Sequence, residues 1–459
     1  MILTRECLVI PESRDYSELI LRYVESAEEL LWKEQSKTEV SDDAKLVISY
    51  LLFVRMEELL SRRPFARYDN QPYFTDREPL LAGMAKDYAD FIREMLENLH
   101  AMRGELSVLM GGAWSKVVKV LDCGGDLHNR GRCTLVVETD GGRFVYKPRD
   151  CGVDRWFMRF AGGFCSEYLY VPKVVAAGSC GLFEYVEGAD ADMGQAETYY
   201  RNLGRLCALA RMLGSVDLHR ENVIALGARI VPLDLETILA PRERREFFQR
   251  SVGKTYTPAE YERLQTSLRP SALLNPEVSG GRLGALYGGG ENGSAPMDGE
   301  GQSSAASFLP QLEEGFAEEY RRIWENKALF AAELCSASDC RIRTVIRSTN
   351  QYDAMLDRLF SGSEEGAEEE LLRQLREDTG PPLEAVCGYE LAGLRRGDVP
   401  YFYTGADSVD ICCDGETAVH GFFEMSAVAQ ALHRLETAGE EELAYELRLL
   451  RRSAGEDAI

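Results

Sequence analysis

The chain has 459 residues, 45% of them hydrophobic, and carries a net charge of −24 at pH 7. Its length and composition are those of an ordinary globular protein with two or three domains. The acidic balance excludes the basic footprint of a nucleic-acid-binding or anionic-membrane-binding protein, and no stretch reaches the roughly 20 apolar residues of a membrane-spanning helix.

The cysteines and the N-terminus indicate the compartment. The twelve cysteines are scattered, and the one adjacent pair, Cys412 and Cys413, is too close for an ordinary disulfide. No CxxC pair occurs, and the histidines are not spaced with the cysteines as zinc ligands are. The first residues also lack the basic and apolar regions of a signal peptide. We therefore expect free thiols, no zinc, no membrane insertion and a cytoplasmic location.

The first part of the chain follows a helical pattern. Between residues 15 and 105, three stretches carry apolar side chains at spacings of three and four, beginning at SELILRYV, DDAKLVIS and KDYADFIR. This pattern predicts an N-terminal helical region over residues 1–105.

The spacing of apolar residues changes near residue 114, where short runs rich in β-branched and aromatic residues alternate with glycines. They include WSKVVKVLDCGG, RCTLVVETD and GRFVYKP, with TDGG as a hairpin turn. A buried helix, AETYYRNLGRLCALARMLG, follows these strands. A strand-rich lobe before a helical lobe predicts an α+β fold with a kinase-like bilobal core over residues 106–335.

The remaining chain is mostly helical in pattern. Residues 279–306 are rich in Gly and Ser and predict a flexible loop, after which EEGFAEEYRRIWENKALFAAEL predicts one long helix. We assign residues 336–459 to a third region, made of an arginine-containing strand, an exposed charged helix around GSEEGAEEELLRQLREDTG, and C-terminal helical elements.

Three segments in the predicted core carry chemistry. FVYKPRD contains Lys147 at the end of an apolar strand, VDLHREN contains Asp217 and Asn222, and VPLDLET contains Asp234. Phosphoryl transfer from ATP uses a strand lysine for the phosphates, a loop Asp for the attacking hydroxyl, and an Asn and a second Asp for Mg²⁺. The combination therefore predicts an ATP- and magnesium-dependent kinase-type site.

Each motif also has a simpler structural interpretation. Asp217 could cap the next helix through an Asx turn, and Lys147 could be an exposed strand lysine. Glu236 would share a strand face with Asp234 if that strand persists, and could then bind metal or orient a ligand. The glycine loop of protein kinases is absent, and GGDLHNRGR is only a weak candidate to cover the phosphates.

A further arginine-rich segment, CRIRTVIRSTNQYDAML, follows the core. Interpreted as a strand, it places Arg343, Arg347 and Thr349 on one face, where the arginines could bind phosphate in bidentate fashion. A solvated edge strand explains the same pattern equally well.

With these residues in view, the chain resembles the dehydratase domain of class II lanthipeptide synthetases, the LanM type. The resemblance extends from about residue 75 to the C-terminus. The matching segments are GDLHNRGR, FVYKPRD, LFEYVEG, VDLHRENVIALG, VPLDLET, EEGFAEEYRRIW, RTVIRSTNQY, ELAGLRRGDVPYF and YELRLLRRS. The resemblance implies a lipid-kinase-like core that phosphorylates Ser and Thr of a ribosomally made precursor peptide. The same site then eliminates the phosphate, with ADP present, to leave dehydroalanine or dehydrobutyrine.

The resemblance also implies residue roles. Lys147, Asp217, His219, Asn222, Asp234 and Glu236 match the residues of the phosphorylation step, and Asp126, His128, Arg343 and Thr349 match those of elimination. Arg343 would bind the departing phosphate, because expelling it requires a cationic partner and removal of the α-proton.

Two departures from the family pattern qualify this expectation. The sequence ends where a zinc-containing cyclase domain would begin, so ring formation would need a separate cyclase or other tailoring enzyme. The region before the core is shorter than expected, so recognition of a leader peptide could differ. Two alternatives remain: a peptide or small-molecule kinase without elimination, and a non-catalytic peptide-binding partner of another enzyme.

Overall fold

The computed structural model describes most of the chain and has both predicted classes of element. The described residues are 17–33, 36–62, 71–189, 191–251, 254–274, 297–298, 301–302, 305–360, 366–379 and 383–454. Helices and antiparallel strands are largely segregated along the chain, so the α+β class is confirmed. No helix in these residues is both long enough and apolar enough to cross a membrane.

The predicted N-terminal helices form, and their apolar faces share one core with the sheet that follows. Ser41 caps the second helix by accepting a hydrogen bond from the amide of Ala44 at 3.1 Å. Ile48 and Phe91 are fully buried against strand residues such as Val120. The four helices are α1 (Ser17–Trp32), α2 (Asp42–Ser61), α3 (Gln71–Ala101) and α4 (Arg103–Met110).

A six-stranded sheet is built on these helices, with strand order β1-β2-β3-β4-β6-β5. All pairs are antiparallel except β1 with β2. The TDGG turn predicted from sequence is confirmed, because Thr139 pairs with Gly142 across a two-residue connection. The strands are β1 (Glu39–Val40), β2 (Lys116–Asp122), β3 (Leu135–Thr139), β4 (Gly142–Lys147), β5 (Val174–Ala177) and β6 (Cys180–Glu184).

The largest core cluster surrounds α6 (Ala196–Leu213) and α9 (Leu309–Glu325). Their backbones approach closely at two glycines: a Cβ on Gly204 would lie 2.0 Å from the carbonyl oxygen of Leu312, and one on Gly315 would lie 1.9 Å from that of Arg201. A side chain at either position would force these helices apart. Helix α5 (Gly152–Phe164) packs into the same core after β4.

Two further sheets complete the part of the fold that carries the motifs. The hairpin β7 (Val223–Leu226) and β8 (Arg229–Pro232) follows α6. A four-stranded antiparallel sheet has the order β12-β13-β14-β15. Its strands are β12 (Arg341–Thr344), β13 (Phe402–Gly405), β14 (Ile411–Cys413) and β15 (Glu416–Val419).

The other elements connect these layers. The helices are α7 (Arg245–Ser251), α8 (Pro258–Thr266), α10 (Lys327–Cys335), α11 (Thr349–Phe360), α12 (Ala367–Thr379), α13 (Cys387–Leu394), α14 (Ala427–Glu436) and α15 (Glu440–Ala454). The short strands are β9 (Arg242–Glu243), β10 (Met297–Asp298), β11 (Gly301–Gln302) and β16 (Phe423–Met425).

Several predictions for this second half need correction. The long helix is two, α9 and α10, which meet at Asn326. The charged helix α12 is not only a solvated face, because Leu371 and Leu375 are buried in a core with α11 and α13. The predicted loop 279–306 falls mostly outside the described residues. The eleven cysteines that are described are all free thiols, as expected.

Candidate active site

Lys147 is the last residue of β4 and points into a cluster of carboxylates. Its side chain is 11% exposed, and its Nζ lies 3.2 Å from Oδ1 of Asp234 and 3.9 Å from Oδ1 of Asp154. It also lies 5.0 Å from the ring centre of Phe183 on the neighbouring strand β6. Burial lowers the pKa of Lys147, but the attraction of the two carboxylates outweighs burial and raises it. The ammonium group is therefore charged, and the exposed-lysine interpretation is wrong.

Arg149, two residues beyond Lys147, is the centre of this cluster. Its guanidinium donates two hydrogen bonds to Asp154 of α5, at 2.7 and 3.1 Å, and one to Oδ1 of Asp234 at 3.1 Å. Its Nε lies 3.1 Å from Oε2 of Glu236. A single side chain thus contacts three carboxylates, and the fork shape of the guanidinium makes this arrangement possible.

Asp234 occupies a turn rather than a strand end. Strand β8 ends at Pro232, and Asp234 has a φ of 46° before a single 3₁₀ turn over Leu235–Thr237. The prediction of a shared strand face with Glu236 is therefore wrong, because this left-handed residue redirects the chain. Asp234 keeps 41% of its side-chain surface exposed. Burial raises the pKa of Asp234, but Lys147 and the nearby guanidinium groups hold it well below its usual range.

The VDLHREN segment lies beside Asp234 because of the β7–β8 hairpin. Val223 pairs with Pro232, and the amide of Leu233 donates to the carbonyl oxygen of Asn222 at 2.7 Å. The side-chain nitrogen of Asn222 donates to the carbonyl oxygen of Asp217 at 2.9 Å. Asn222 and Asp217 are thus fixed next to the Asp234 turn.

His219 stabilises the same segment. Its Nδ1 accepts a hydrogen bond from the amide of Glu221 at 3.3 Å and caps a 3₁₀ turn, Arg220–Asn222. Its Nε2 lies 3.3 Å from the side-chain nitrogen of Asn222. Both contacts fix the loop's shape.

Glu236 joins this group to residues from distant parts of the chain. It is only 5% exposed, and its Oε1 accepts a hydrogen bond from Arg343 on β12. Its Oε2 accepts one from the hydroxyl of Tyr401 at 3.3 Å and also contacts Arg149. Burial raises the pKa of Tyr401 well above its ordinary value, so Tyr401 is a neutral donor to Glu236.

His128 extends the network beyond Arg343. Nη2 of the Arg343 guanidinium lies 3.2 Å from Nε2 of His128, and Nδ1 of His128 lies 2.8 Å from the carbonyl oxygen of Val399. Because the guanidinium can only donate, Nε2 accepts and Nδ1 carries the proton. Burial and the charge of Arg343 lower the pKa of His128 to about 4. His128 is therefore neutral near pH 7.

Asp126 and Thr349 form a separate pair. The Thr349 hydroxyl donates to Oδ2 of Asp126 at 2.9 Å, two positions from His128. The predicted strand face over Arg343, Arg347 and Thr349 is wrong, because β12 ends at Thr344 and Thr349 is the first residue of α11. Arg347 turns away into a buried ion pair with Glu390 at 2.7 Å.

The loop that carries Asp126 and His128 is held from behind. Asn129, Arg130 and Gly131 are consecutive residues with positive φ. The amides of Arg130 and Gly131 both donate to the Asp398 carboxylate, at 2.6 and 2.8 Å. Leu127 accepts a hydrogen bond from the amide of Val399 at 2.8 Å through its carbonyl oxygen. We refer to residues 126–132 as the His128 loop.

The site is thus one continuous polar network with two flanks. Three cations alternate with three carboxylates in its centre, and these groups are Lys147, Arg149, Arg343, Asp154, Asp234 and Glu236. The Asp217 segment flanks one side through backbone contacts, and the Asp126–Thr349 pair flanks the other. All ten residues predicted from sequence belong to this region.

The donor atoms suit Mg²⁺. Oδ2 of Asp234 and Oδ1 of Asn222 accept no hydrogen bond from any described residue, and both belong to adjoining turns. Oxygen ligands of this kind, one or two per ion with phosphates and water completing the shell, are what Mg²⁺ uses in phosphoryl-transfer sites. Within the described ranges, no three His, Cys, Asp or Glu side chains group as a protein-only metal site would require.

Arg149, Asp154 and Tyr401 were not predicted. The KPR sequence after an apolar strand is a local signal that could have drawn attention to Arg149. Asp154 and Tyr401 have no such signal, because α5 and the segment before β13 reach the site only through tertiary packing. Tyr401 contacts Glu236 across 165 positions in sequence.

Comparison with known proteins identifies a matching family and a related protein. A family model described as "Domain of unknown function (DUF4135)" matches residues 78–297 and 290–405, which include every candidate site residue. The chain is also 24% identical over 340 residues to the "Lacticin 481/lactococcin biosynthesis protein LcnDR2" of Lactococcus lactis subsp. lactis. That alignment covers 64% of this chain and 37% of the relative, so the chain spans well under half of the relative's length.

Proposed function

We propose that this chain, which belongs to the DUF4135 family, dehydrates Ser and Thr of a ribosomally made precursor peptide. Its resemblance to the dehydratase domain of class II lanthipeptide synthetases is confirmed by both matches. The role of the relative in lacticin 481 biosynthesis supports a part for this chain in lanthipeptide biosynthesis. The proposed reaction is phosphorylation by ATP followed by β-elimination of the phosphate, on a kinase-like core.

In the phosphorylation step, Asp217 accepts the proton of the Ser or Thr hydroxyl as its oxygen attacks the γ-phosphorus of ATP. Lys147 and Arg149 hold the transferring phosphates by charge, and Asp154 fixes Arg149 through a bidentate pair. Asp234 and Asn222 would hold Mg²⁺, which neutralises charge on the phosphates. The products are a phosphorylated peptide and ADP.

In the elimination step, a base removes the α-proton, the electron pair forms the carbon–carbon double bond, and the C–O bond to phosphate breaks. Arg343 stabilises the negative charge of the departing phosphate as the C–O bond breaks. His128 orients Arg343 through its neutral Nε2. The hydrogen bond from Thr349 to Asp126 keeps the N-terminus of α11 next to His128 and Arg343.

The observation that carries the proposal is the shared carboxylate of Glu236. It contacts Arg149, which belongs to the Lys147–Asp234 group, and Arg343, which belongs to the His128 group. Residues suited to binding a nucleotide phosphate and residues suited to expelling a phosphate therefore form one site. A kinase without elimination has no need of the second group.

The test is intact-mass analysis of the Ser- and Thr-containing precursor peptide encoded beside the gene, after incubation with the protein, ATP and Mg²⁺. We expect the mass of one water to be lost per modified residue. Asp217→Ala should leave the peptide unchanged, and Arg343→Ala should accumulate phosphopeptide. A wild-type product that only gains phosphate would reduce the function to a kinase, and an unchanged peptide would contradict catalysis.

A further inference from the structure

Arg55 of α2 connects the N-terminal helices to the back of the His128 loop. Its guanidinium donates one hydrogen bond to the carbonyl oxygen of Gly131 at 3.0 Å and another to Oδ2 of Asp122 at 2.7 Å. The side chain is only 6% exposed and lies 5.1 Å from the ring centre of Tyr88 on α3. The fork shape of the guanidinium allows one buried cation to hold both a carboxylate and the loop backbone.

Gly131 is held on both sides of its peptide unit. Its amide donates to Asp398, and its carbonyl oxygen accepts from Arg55. Gly131 is the last of three successive residues with positive φ, a conformation that the surrounding structure must maintain. His128 and Arg132 exchange two backbone hydrogen bonds, at 2.9 and 2.7 Å, around this turn. A shift of Gly131 would therefore be transmitted to His128.

Glu94 of α3 provides a second link to the same loop. Its Oε2 accepts a hydrogen bond from Nη2 of Arg132 at 2.5 Å, and Nη1 of Arg132 donates to the carbonyl oxygen of Asn129 at 2.8 Å. The side chain of Leu127 packs on the core that the N-terminal helices share with the six-stranded sheet. The loop thus contacts both α2 and α3, through polar and apolar groups.

The end of α2 contacts two more segments of the elimination group. Arg62, directly after α2, lies 2.7 Å from a carboxylate oxygen of Asp353 and 2.9 Å from one of Asp357, both on α11. Leu59 is buried in one core with residues of α11 and with Val399. A single helix therefore supports the His128 loop, the Val399 segment behind it and the helix that begins at the loop's other partner.

The segments proposed for phosphorylation depend on a different core. Leu218 and Leu235, the neighbours of Asp217 and Asp234, are buried in the cluster around α6 and α9. No described residue of α1 to α4 belongs to that cluster. Lys147 ends β4, which is paired with β3 on one side and β6 on the other. A change in α2 should therefore affect the two steps differently.

We propose that Arg55 is a positioning residue for elimination, so that the N-terminal helical region serves the second step of the reaction and not the first. Arg55 acts through Gly131, which places His128 against Arg343. Glu94 acts in the same way through Arg132. The inference rests on the proposed function for the identity of the reaction.

Two variants test the two links independently. Arg55→Lys keeps a cation opposite Asp122, but an ammonium group lacks the fixed fork that also reaches the carbonyl oxygen of Gly131. Glu94→Gln removes the anion that pairs with Arg132. Since the Glu94 side chain is 33% exposed, this second variant should fold even if Arg55→Lys is unstable.

Arg103→Lys is the matched control. Arg103 belongs to the same helical region, where it donates a hydrogen bond to the carbonyl oxygen of Trp114 at 2.6 Å and lies 4.6 Å from the centre of that ring. It therefore has the same kind of contacts as Arg55. Trp114 precedes β2, whereas the His128 loop follows the other end of this strand.

Two rates are measured for each protein at saturating peptide: phosphorylation of the precursor peptide with ATP and Mg²⁺, and phosphate release from its synthetic phosphoserine form with ADP and Mg²⁺. We expect Arg55→Lys to slow phosphate release about tenfold or more and to leave phosphorylation within about twofold, because small displacements of positioned groups are costly. Glu94→Gln should shift the ratio of the two rates in the same direction. Arg103→Lys should leave this ratio unchanged.

Hydrogen exchange followed by mass spectrometry measures the loop directly. Amides of residues 126–132 should exchange faster in Arg55→Lys and Glu94→Gln, and those of residues 217–222 should not change. Equal slowing of both steps, a wild-type ratio in both variants, or unchanged exchange in the loop would overturn this inference alone. A wild type that never releases phosphate would overturn the proposed function together with it.

Discussion

Glu236 is the residue on which both halves of the proposed chemistry depend. Its buried carboxylate contacts Arg149, Arg343 and Tyr401. Removing its charge leaves two guanidinium groups without their shared anion, and each is then free to pair with other carboxylates such as Asp234. Glu236 therefore orients both arginines rather than serving one step alone.

Glu236→Gln keeps the size of the side chain and removes this charge. We predict that phosphorylation of the precursor peptide and elimination from a phosphopeptide both slow by about 10²-fold or more, because misplaced cations no longer stabilise developing charge. Single-turnover mass analysis of each step measures this. Full elimination activity in the variant would contradict the shared role and restrict Glu236 to phosphorylation.

His128 makes a pH-dependent contribution to stability. Its pKa falls from 6.5 to about 4 on folding because of burial and the charge of Arg343. The unfolded chain thus binds a proton more readily than the folded chain. The stabilisation is complete above pH 6.5 and is lost as the pH falls toward 4.

Urea unfolding at pH 7 and pH 5 tests this difference. The wild type should lose up to about 2 kcal/mol more than His128→Gln between these pH values, given 1.36 kcal/mol per pKa unit. The control is His100→Gln, at an exposed position of α3, whose free energy of unfolding should change with pH as that of the wild type does. An identical pH dependence for His128→Gln and the wild type would contradict a lowered pKa.

For single residues, the members of short motifs can be predicted from sequence, but the side chains that contact them cannot. Lys147, Asp217 and Asp234 can be proposed as site residues from sequence, because residue type and spacing reflect chemistry directly. Tyr401 and Asp154 have ordinary local sequences, and only the fold brings them to the site. The ion pair that turns Arg347 away from Arg343 depends on Glu390, 43 positions distant.

Among the elements, the His128 loop is the least regular part of the site. Its left-handed residues are stabilised by Asp398, which accepts two amide hydrogen bonds although burial raises its pKa. Inside the loop, His128 and Arg132 exchange two backbone hydrogen bonds at 2.9 and 2.7 Å, and Asp398 adds its two from outside. Asp398 is therefore a positioning residue for His128.

Asp398→Ala should leave two loop amides without their acceptor, at a cost of about 1–3 kcal/mol for each group that stays buried. We expect elimination to slow markedly and phosphorylation to persist, so that phosphopeptide accumulates in the mass assay. Asp140→Ala is the matched control, because Asp140 accepts amide hydrogen bonds from Ser115 and Lys116 at the opposite end of β4 from Lys147. Equal losses in both steps would contradict a specific role for the loop.

Regular elements were predicted well where their pattern is long. The amphipathic periods of α1 to α3 and the TDGG turn indicated the first half of the fold. Whether the strand before Asp234 persists to Glu236 could not be predicted, because the positive φ that ends it at Asp234 has no compositional signal; aspartate is only tolerant of that conformation. Arg343 to Thr349 alternates as a strand does, but α11 begins within it.

For the whole molecule, a buried ion pair connects the C-terminal helix to the centre of the fold. Glu446 of α15 and Arg211 of α6 are both 1% exposed. Glu446 accepts hydrogen bonds from Nε of Arg211 at 3.4 Å and from the amide of Leu268 at 3.1 Å. Its loss would leave Arg211 charged and without its carboxylate partner in the largest core cluster.

Glu446→Ala should therefore lower the free energy of unfolding by about 3–5 kcal/mol, the usual cost of breaking a buried pair on one side. Glu440→Ala, on the same helix, removes an exposed pair with Arg321 and should have a much smaller effect. Urea denaturation followed by circular dichroism measures both. Similar losses for the two variants would show that α15 is not held by Glu446.

In the proposed function, one site performs two separable steps. The most direct measurement is therefore to supply a synthetic phosphoserine form of the precursor peptide, with ADP and Mg²⁺, and to follow its mass. We expect wild type and Asp217→Asn both to release phosphate and form dehydroalanine, and Arg343→Ala to release none. Loss of elimination in Asp217→Asn together with normal elimination in Arg343→Ala would contradict this division of roles.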